Sequence, residues 1–230
     1  MLTFDDVTLA RGDFRLEADL SIPPGLTAVI GPSGGGKSTL LSAIAGFEAA
    51  VRGHILWQGA DLTGQPPGAR PVTMLFQDHN LFPHLTVAQN VGLALAPRLR
   101  LTRDQSGKVE EALASVGLSE MGTRKPAALS GGQAGRAALA RTLLADRPVV
   151  LLDEAFAALG PALRAEMLAL VRDRLVAGQG RTVVVVTHDP QDARIFADRV
   201  VYVGQGVAHP PQDTEPFFAS PTAAVRDYLG

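Results

Sequence analysis

Three short runs along the chain are continuously apolar: Ala28 to Ile30, Val149 to Leu152 and Val183 to Val186. A run without alternation fits a strand covered on both faces, as in a parallel α/β sheet. Val72 to Phe76 and Arg199 to Val203 are predicted as further strands. After Pro161, a favoured first-turn residue, Leu163, Met167, Leu170 and Leu175 fall on one face and predict a helix. Strands alternating with helices imply βαβ units. Residues 80 to 145 read differently. Helical segments near Val87 to Leu95, Gln105 to Val116 and Gly131 to Leu144 follow one another with no convincing strand between them. They predict a helical subdomain at about 80–145, inserted into an α/β core. Near the N-terminus, Phe4, Val7, Leu9, Phe14 and Leu16 stand among polar residues and suit an antiparallel β layer. The expectation is one compact domain, 1–230, with two lobes.

Bulk properties narrow the function. A chain of 230 residues can bury a sizeable core. A formal net charge of −2 and a pI near 6.2 argue against nucleic acid as a partner, whose footprint is basic. With no cysteine, disulfides and thiolate metal sites are excluded. The opening MLTFDDVTLARGD has acids where a signal peptide needs a basic start and an apolar run. No apolar stretch approaches the roughly 20 residues of a membrane span. The chain is therefore expected to be soluble and cytoplasmic.

GPSGGGKST follows the apolar strand LTAVI and precedes the helical TLLSAIAG. It matches the phosphate-loop pattern G-x-x-x-x-G-K-[ST], running Gly31, Pro32, Ser33, Gly34, Gly35, Gly36, Lys37, Ser38, Thr39. Glycines let backbone N–H groups converge on phosphates, Lys37 carries charge to the β and γ groups, and Ser38 offers a hydroxyl to Mg²⁺. VVLLDE ends an apolar strand in two carboxylates. Asp153 suits Mg²⁺, and Glu154 can polarise a water for attack on the γ-phosphate. VVVVTHD places His188 at a strand's carboxyl end, where ligands of such sheets bind, and Gln77 closes VTMLFQ in the same way. The stretch ALSGGQAGRAALAR sets Ser130, Gly131, Gly132 and Gln133 before an Ala/Leu-rich helix, a second cradle of free N–H groups. His54, His79, His84 and His209 show no metal-ligand spacing and receive no role.

The phosphate loop, Gln77, LSGGQ, LLDE and His188, in that order and spacing, resemble the ATP-binding subunit of an ABC transporter over essentially the whole chain. The resemblance implies a P-loop ABC ATPase domain with a mostly parallel core sheet, and hydrolysis of ATP with Mg²⁺. Glu154, His188, Gln77 and Lys37 would be catalytic, and Ser38, Gln77 and Asp153 would attend the metal. It answers why there are two cradles. In that family two subunits pair head to tail, and the Ser130–Gly132 amides of one complete the γ-phosphate site of the other. The family's adenine-stacking aromatic usually lies near VTLARGDF, where Arg11 or Phe14 could cover the base and Phe14 could equally be core.

A single cassette without membrane spans resembles a bacterial importer subunit on the cytoplasmic face of the inner membrane. Its partners would be separate permease chains and, indirectly, a periplasmic substrate-binding protein. Since the sequence runs to residue 230, the additional C-terminal regulatory domain of sugar importers is not expected. Leu81, Phe82, Leu85 and Val87 would suit a groove for a permease coupling helix, or ordinary packing. PPGARPVTMLFQDHNLFPHLTVAQNVGL, followed by LRLT, is most similar to thiamine-importer ATPases, and SAIAGF supports this. Ferric-iron, sulfate and polyamine importer ATPases share much of the pattern. Non-transport ABC ATPases of DNA repair or translation usually carry tandem cassettes or coiled-coil inserts, and neither occurs here. The chain departs from the family at DEAFAALGP: Ala155 stands for the usual proline, and Gly160 for an aspartate that reaches across the dimer.

Overall fold

The computed structural model describes residues 1–177 and 180–230. The strands are β1 (Leu2–Arg11), β2 (Phe14–Ile22), β3 (Gly25–Ile30), β4 (Arg52–Trp57), β5 (Ala60–Asp61) and β6 (Val72–Leu75), then β7 (Val149–Asp153), β8 (Thr182–Val186), β9 (Arg199–Gly204), β10 (Val207–Ala208) and β11 (Gln212–Asp213). The helices are α1 (Lys37–Ala45), α2 (Val87–Gly92), α3 (Arg103–Ser115), α4 (Gly131–Ala145), α5 (Pro161–Val171), α6 (Pro190–Phe196), α7 (Thr214–Ala219) and α8 (Ala223–Leu229).

The core sheet runs β9–β3–β8–β7–β6, every neighbour parallel. Its apolar runs have no polar alternation because helices cover both faces. Val149 and Leu151 of β7 pack with Leu40, Leu41 and Ile44 of α1, while Val150 and Leu152 pack with Leu139 of α4 and Met167, Leu168 and Val171 of α5. The predicted face is observed in α5, where Met167 is fully buried and Leu163 and Leu170 pack against the same cluster; Leu175, also fully buried, lies just beyond α5 in a π-helical turn over Arg172–Val176.

The N-terminal residues form the antiparallel layer β5–β4–β1–β2, joined to the core sheet through β10 and β9. A register shift between Phe4 and Val7 inserts a bulge at Asp5–Asp6. A bulge reverses the parity of inward positions. Leu2 and Phe4 before it, and Val7 and Leu9 after it, are consequently all buried.

Between β6 and β7 the chain is helical. Helices α2, α3 and α4 start alike: Thr86, Thr102 and Ser130 accept from the backbone N–H of Gln89, Gln105 and Gln133, whose side chains accept in return from the N-cap N–H. These helices share a core of their own, including Val87, Val91, Val109, Leu113, Ala137 and Ala140. Val87 therefore does not belong to an exposed docking groove; it is fully buried at the first position of α2. Leu81 is also turned inward against this cluster, whereas Phe82 is exposed. Among the described residues, no helix is long and apolar enough to cross a membrane.

Candidate active site

Strand β3 delivers Gly31 to a loop that ordinary residues could not follow. Gly31 has φ 146°, and a Cβ there would stand 2.0 Å from the Val203 carbonyl oxygen. Gly36, at φ 105°, caps α1 with no side-chain bond, and a Cβ on it would stand 2.7 Å from Phe14 Cζ. Glycine alone meets both demands without steric cost. Within the loop, the Gly35 N–H donates to Pro32 O at 3.1 Å. The Lys37 Nζ donates to Gly31 O at 2.9 Å and Pro32 O at 3.0 Å, so the lysine staples the loop from inside.

The parallel pairing of β3, β8 and β7 brings three strand ends to this loop. Ser38 donates its hydroxyl to Asp153 Oδ1 at 2.9 Å. The next residue breaks the strand: Glu154 has φ 46°, while its N–H still donates to Val186 O at 3.2 Å. A regular strand would send Asp153 and Glu154 to opposite faces. With the left-handed turn, Glu154 shares the cleft with Lys37, and both carboxylates act on the Lys37 ammonium. Glu154 lines an open cleft of about 280 Å³ with Phe14, Ser33, Gly34, Gly36, Lys37, Ser38 and Thr39.

The charges are mutually adjusted. Burial pushes the Lys37 ammonium below its usual range, and the carboxylates of Glu154 and then Asp153 pull it back. Burial pushes the Asp153 carboxyl up, Ser38 opposes this, and the charge on Glu154 adds to the rise. A divalent cation beside Asp153 would favour its ionised form. His188 Nδ1 stands 4.0 Å from Glu154 Oε2. Behind it, Arg164 of α5 pairs with Asp189 and lies 3.1 Å from Asp192 Oδ2, which accepts from Thr187 Oγ1 at 2.9 Å. That ionic brace fixes the residues on either side of His188 and is not legible in the sequence, because its members lie 25 residues apart.

The remaining predicted residues are placed less compactly. Gln77 is exposed on the turn after β6 and does not line the cleft. Phe14 both lines the cleft and packs against the core, while Arg11 is exposed opposite it across the hairpin. Ser130 and Gln133 satisfy one another in their capping box, and Gly132 is buried where a Cβ would stand 2.4 Å from Leu163 Cδ2. The LSGGQ segment, the family's signature, is absent from the lining of the cleft. Gly160 caps α5 at φ −62°, ψ 157°, and a Cβ there would meet nothing within 4 Å. Among the described residues, no cluster of three or more His, Asp or Glu side chains could hold a metal by itself.

Comparison with known proteins identifies the family. Residues 17–157 match the family model described as ABC transporter. The thiamine import ATP-binding protein ThiQ of Cereibacter sphaeroides is 58% identical over 231 residues, covering 100% of both chains. That of Ruegeria sp. is 53% identical over the same coverage. Among solved structures, the dimeric post-hydrolysis state of the ATP-binding cassette MJ0796 bound to ADP and Pi is 29% identical. It covers 94% of this chain and 99% of that one, with a TM-score of 0.79. The ADP conformation of the cassette MJ1267 shares the fold, with a TM-score of 0.89 over 100% of this chain and 98% of that one, at 23% identity. With its glycine-built phosphate loop facing two carboxylates, and full-length relatives above half identity, the chain belongs to the ABC transporter family of ATP-binding cassettes.

Proposed function

We propose that this chain is the ATP-hydrolysing subunit of a thiamine importer. The observation that carries the chemistry is the single cleft uniting Lys37, Ser38 and Glu154, with Asp153 bonded to Ser38. The observation that carries the cargo is full-length identity of 46–58% to relatives named as thiamine import ATP-binding proteins. We read 1–230 as one ATP-binding domain whose helical lobe spans about 80–145.

In this reading, Gly31 to Thr39 hold the ATP phosphates through loop and helix N–H groups, with Lys37 on the β and γ groups. Ser38 and Asp153, joined by Gln77 when its turn closes, are oxygen donors suited to Mg²⁺, a cation that takes few protein ligands beside phosphates and water. When bound, Mg²⁺ neutralises charge that develops on the phosphoryl oxygens. Glu154 accepts a proton from the attacking water, and His188 contacts the γ-phosphate. Phe14, as a wall of the cleft, is the better placed of the two adenine candidates. The signature residues Ser130, Gly131, Gly132 and Gln133 act on the nucleotide of a second copy in a head-to-tail dimer. Permease chains hold the pair at the cytoplasmic face of the inner membrane, with a periplasmic binding protein beyond them.

The cargo is tested by reconstituting this chain with its permease in liposomes. Thiamine-loaded binding protein is expected to stimulate ATP hydrolysis; stimulation only by iron, sulfate or polyamine systems would overturn the assignment. A second expectation concerns Gly160. Since its φ is negative and its surroundings open, aspartate fits without strain. As an N-cap it should add a few tenths of a kcal/mol of stability over glycine. A restored polar contact across the dimer worth about 1.4 kcal/mol in the transition state is tenfold in rate. Gly160→Asp should therefore raise kcat about tenfold with KM for ATP little changed, and steady-state kinetics beside a melting curve would show it.

A further inference from the structure

The turn that carries Gln77 is fastened in an unexpected way. His79 and Asn80 are consecutive left-handed residues, at φ 57° and 46°. Both are side chains that tolerate this region better than most. The Arg141 guanidinium of α4 donates to both of their carbonyls, to His79 O and to Asn80 O, each at 2.8 Å. The half-buried His79 ring turns away from solvent and places Nε2 2.9 Å from Ala155 O. It sits over Gly135 of α4, where a Cβ would stand 3.3 Å from Nε2. A carbonyl only accepts, so Nε2 carries the proton and donates. Burial favours the neutral ring, which can still make this bond.

Ala155 follows Glu154, the residue whose left-handed φ brings its carboxylate to the cleft. On one side of that kink the Glu154 N–H is held by Val186 O, and Ala157 N donates to Glu154 O at 3.0 Å. On the other side the next carbonyl is held by His79. The ring thus ties three parts of the site: the Gln77 turn, the end of the catalytic strand and the helix that begins with the signature.

We infer that His79 is a positioning residue for hydrolysis, holding the Ala155 carbonyl so that Glu154 keeps its kinked conformation, and that it couples the Gln77 turn to Glu154. The inference rests on the reading of Glu154 as the proton acceptor. No histidine pattern in the sequence marks it, because its partner lies 76 residues away.

The test uses the purified full-length chain, with steady-state ATPase kinetics and thermal melting on each variant. His79→Ala should lower kcat about tenfold while KM for ATP stays within twofold. His79→Gln, whose amide N–H can reach the same carbonyl, should recover most of the rate. His79→Phe, which fills the niche but donates nothing, should remain as slow as alanine. Full activity of His79→Phe, or a lowered melting point with unchanged kcat in His79→Ala, would reduce the ring to packing and overturn the proposal. If His79→Ala does not fold, the contrast of Gln against Phe decides alone. Glu154→Gln is the separate control: a fully active Glu154→Gln protein removes the proton-acceptor reading itself, whatever the His79 variants do.

Discussion

Glu154→Gln is expected to bind ATP as the parent chain does and to hydrolyse it about 10²–10⁴-fold more slowly, the range a positioned general base contributes. The amide has the same shape, and the bonds that bracket the kink run through the backbone: the Glu154 N–H to Val186 O, and Ala157 N–H to Glu154 O. The fold around residue 154 therefore does not depend on the carboxylate. What is lost is a proton acceptor, together with a negative charge whose effect on Lys37 exceeds that of Asp153. A cleft less negative by one charge should hold the polyanionic nucleotide at least as well. Binding without turnover should then accumulate the ATP-bound head-to-tail dimer, visible by size exclusion with Mg²⁺ and ATP present. A variant that remains monomeric and fully active would remove Glu154 from the mechanism.

Much of the architecture is legible in the sequence because it rests on local, periodic features. Val149 to Leu152 and Val183 to Val186 read as doubly covered strands because no position in them is polar, and in the structure alternate residues do meet helices on opposite faces. The phosphate loop is legible because glycine, lysine and serine must be adjacent to work. The signature Ser130 reads as a cap for the same reason, and Thr86–Gln89 and Thr102–Gln105 carry that spacing at two further helix starts. What stays hidden depends on distant partners. A strand's alternation says that Asp153 and Glu154 diverge; only the folded chain shows Glu154 lining the cleft while Asp153 accepts from Ser38 on its wall. Val87 reads equally as a docking residue or as packing, because a surface groove and a core position are equally apolar. Arg164, Arg141 and His79 make their contacts to residues 25 to 76 positions away, and nothing in their neighbours announces them.

Lys37→Ala is expected to weaken ATP binding about 100-fold, within the range of about 30- to 5,000-fold that corresponds to the roughly 2–5 kcal/mol lost when one partner of a buried charge pair is truncated. Two of the three ammonium donors are already engaged, on Gly31 O and Pro32 O, which leaves one for a phosphate without dismantling the staple. Alanine removes the charge and the staple together. The Gly31 carbonyl, buried beside β9, then loses a partner, so the empty loop itself should become less ordered. The thermal shift on adding Mg²⁺ and ATP separates binding from folding. At ligand 100 times above Kd, binding stabilises by about 2.7 kcal/mol, and a hundredfold weaker site gives only about 0.4 kcal/mol at the same concentration. For a chain of this length each kcal/mol moves Tm by roughly 2–4 °C. The ATP-dependent rise should accordingly fall from roughly 5–11 °C to about 1 °C. Lys37→Arg should not restore it, because a planar guanidinium cannot reproduce a compact ammonium held between two carbonyls of one tight loop. An undiminished thermal shift in Lys37→Ala would mean that the loop N–H groups alone carry the nucleotide, and that the buried ammonium serves only to shape the loop.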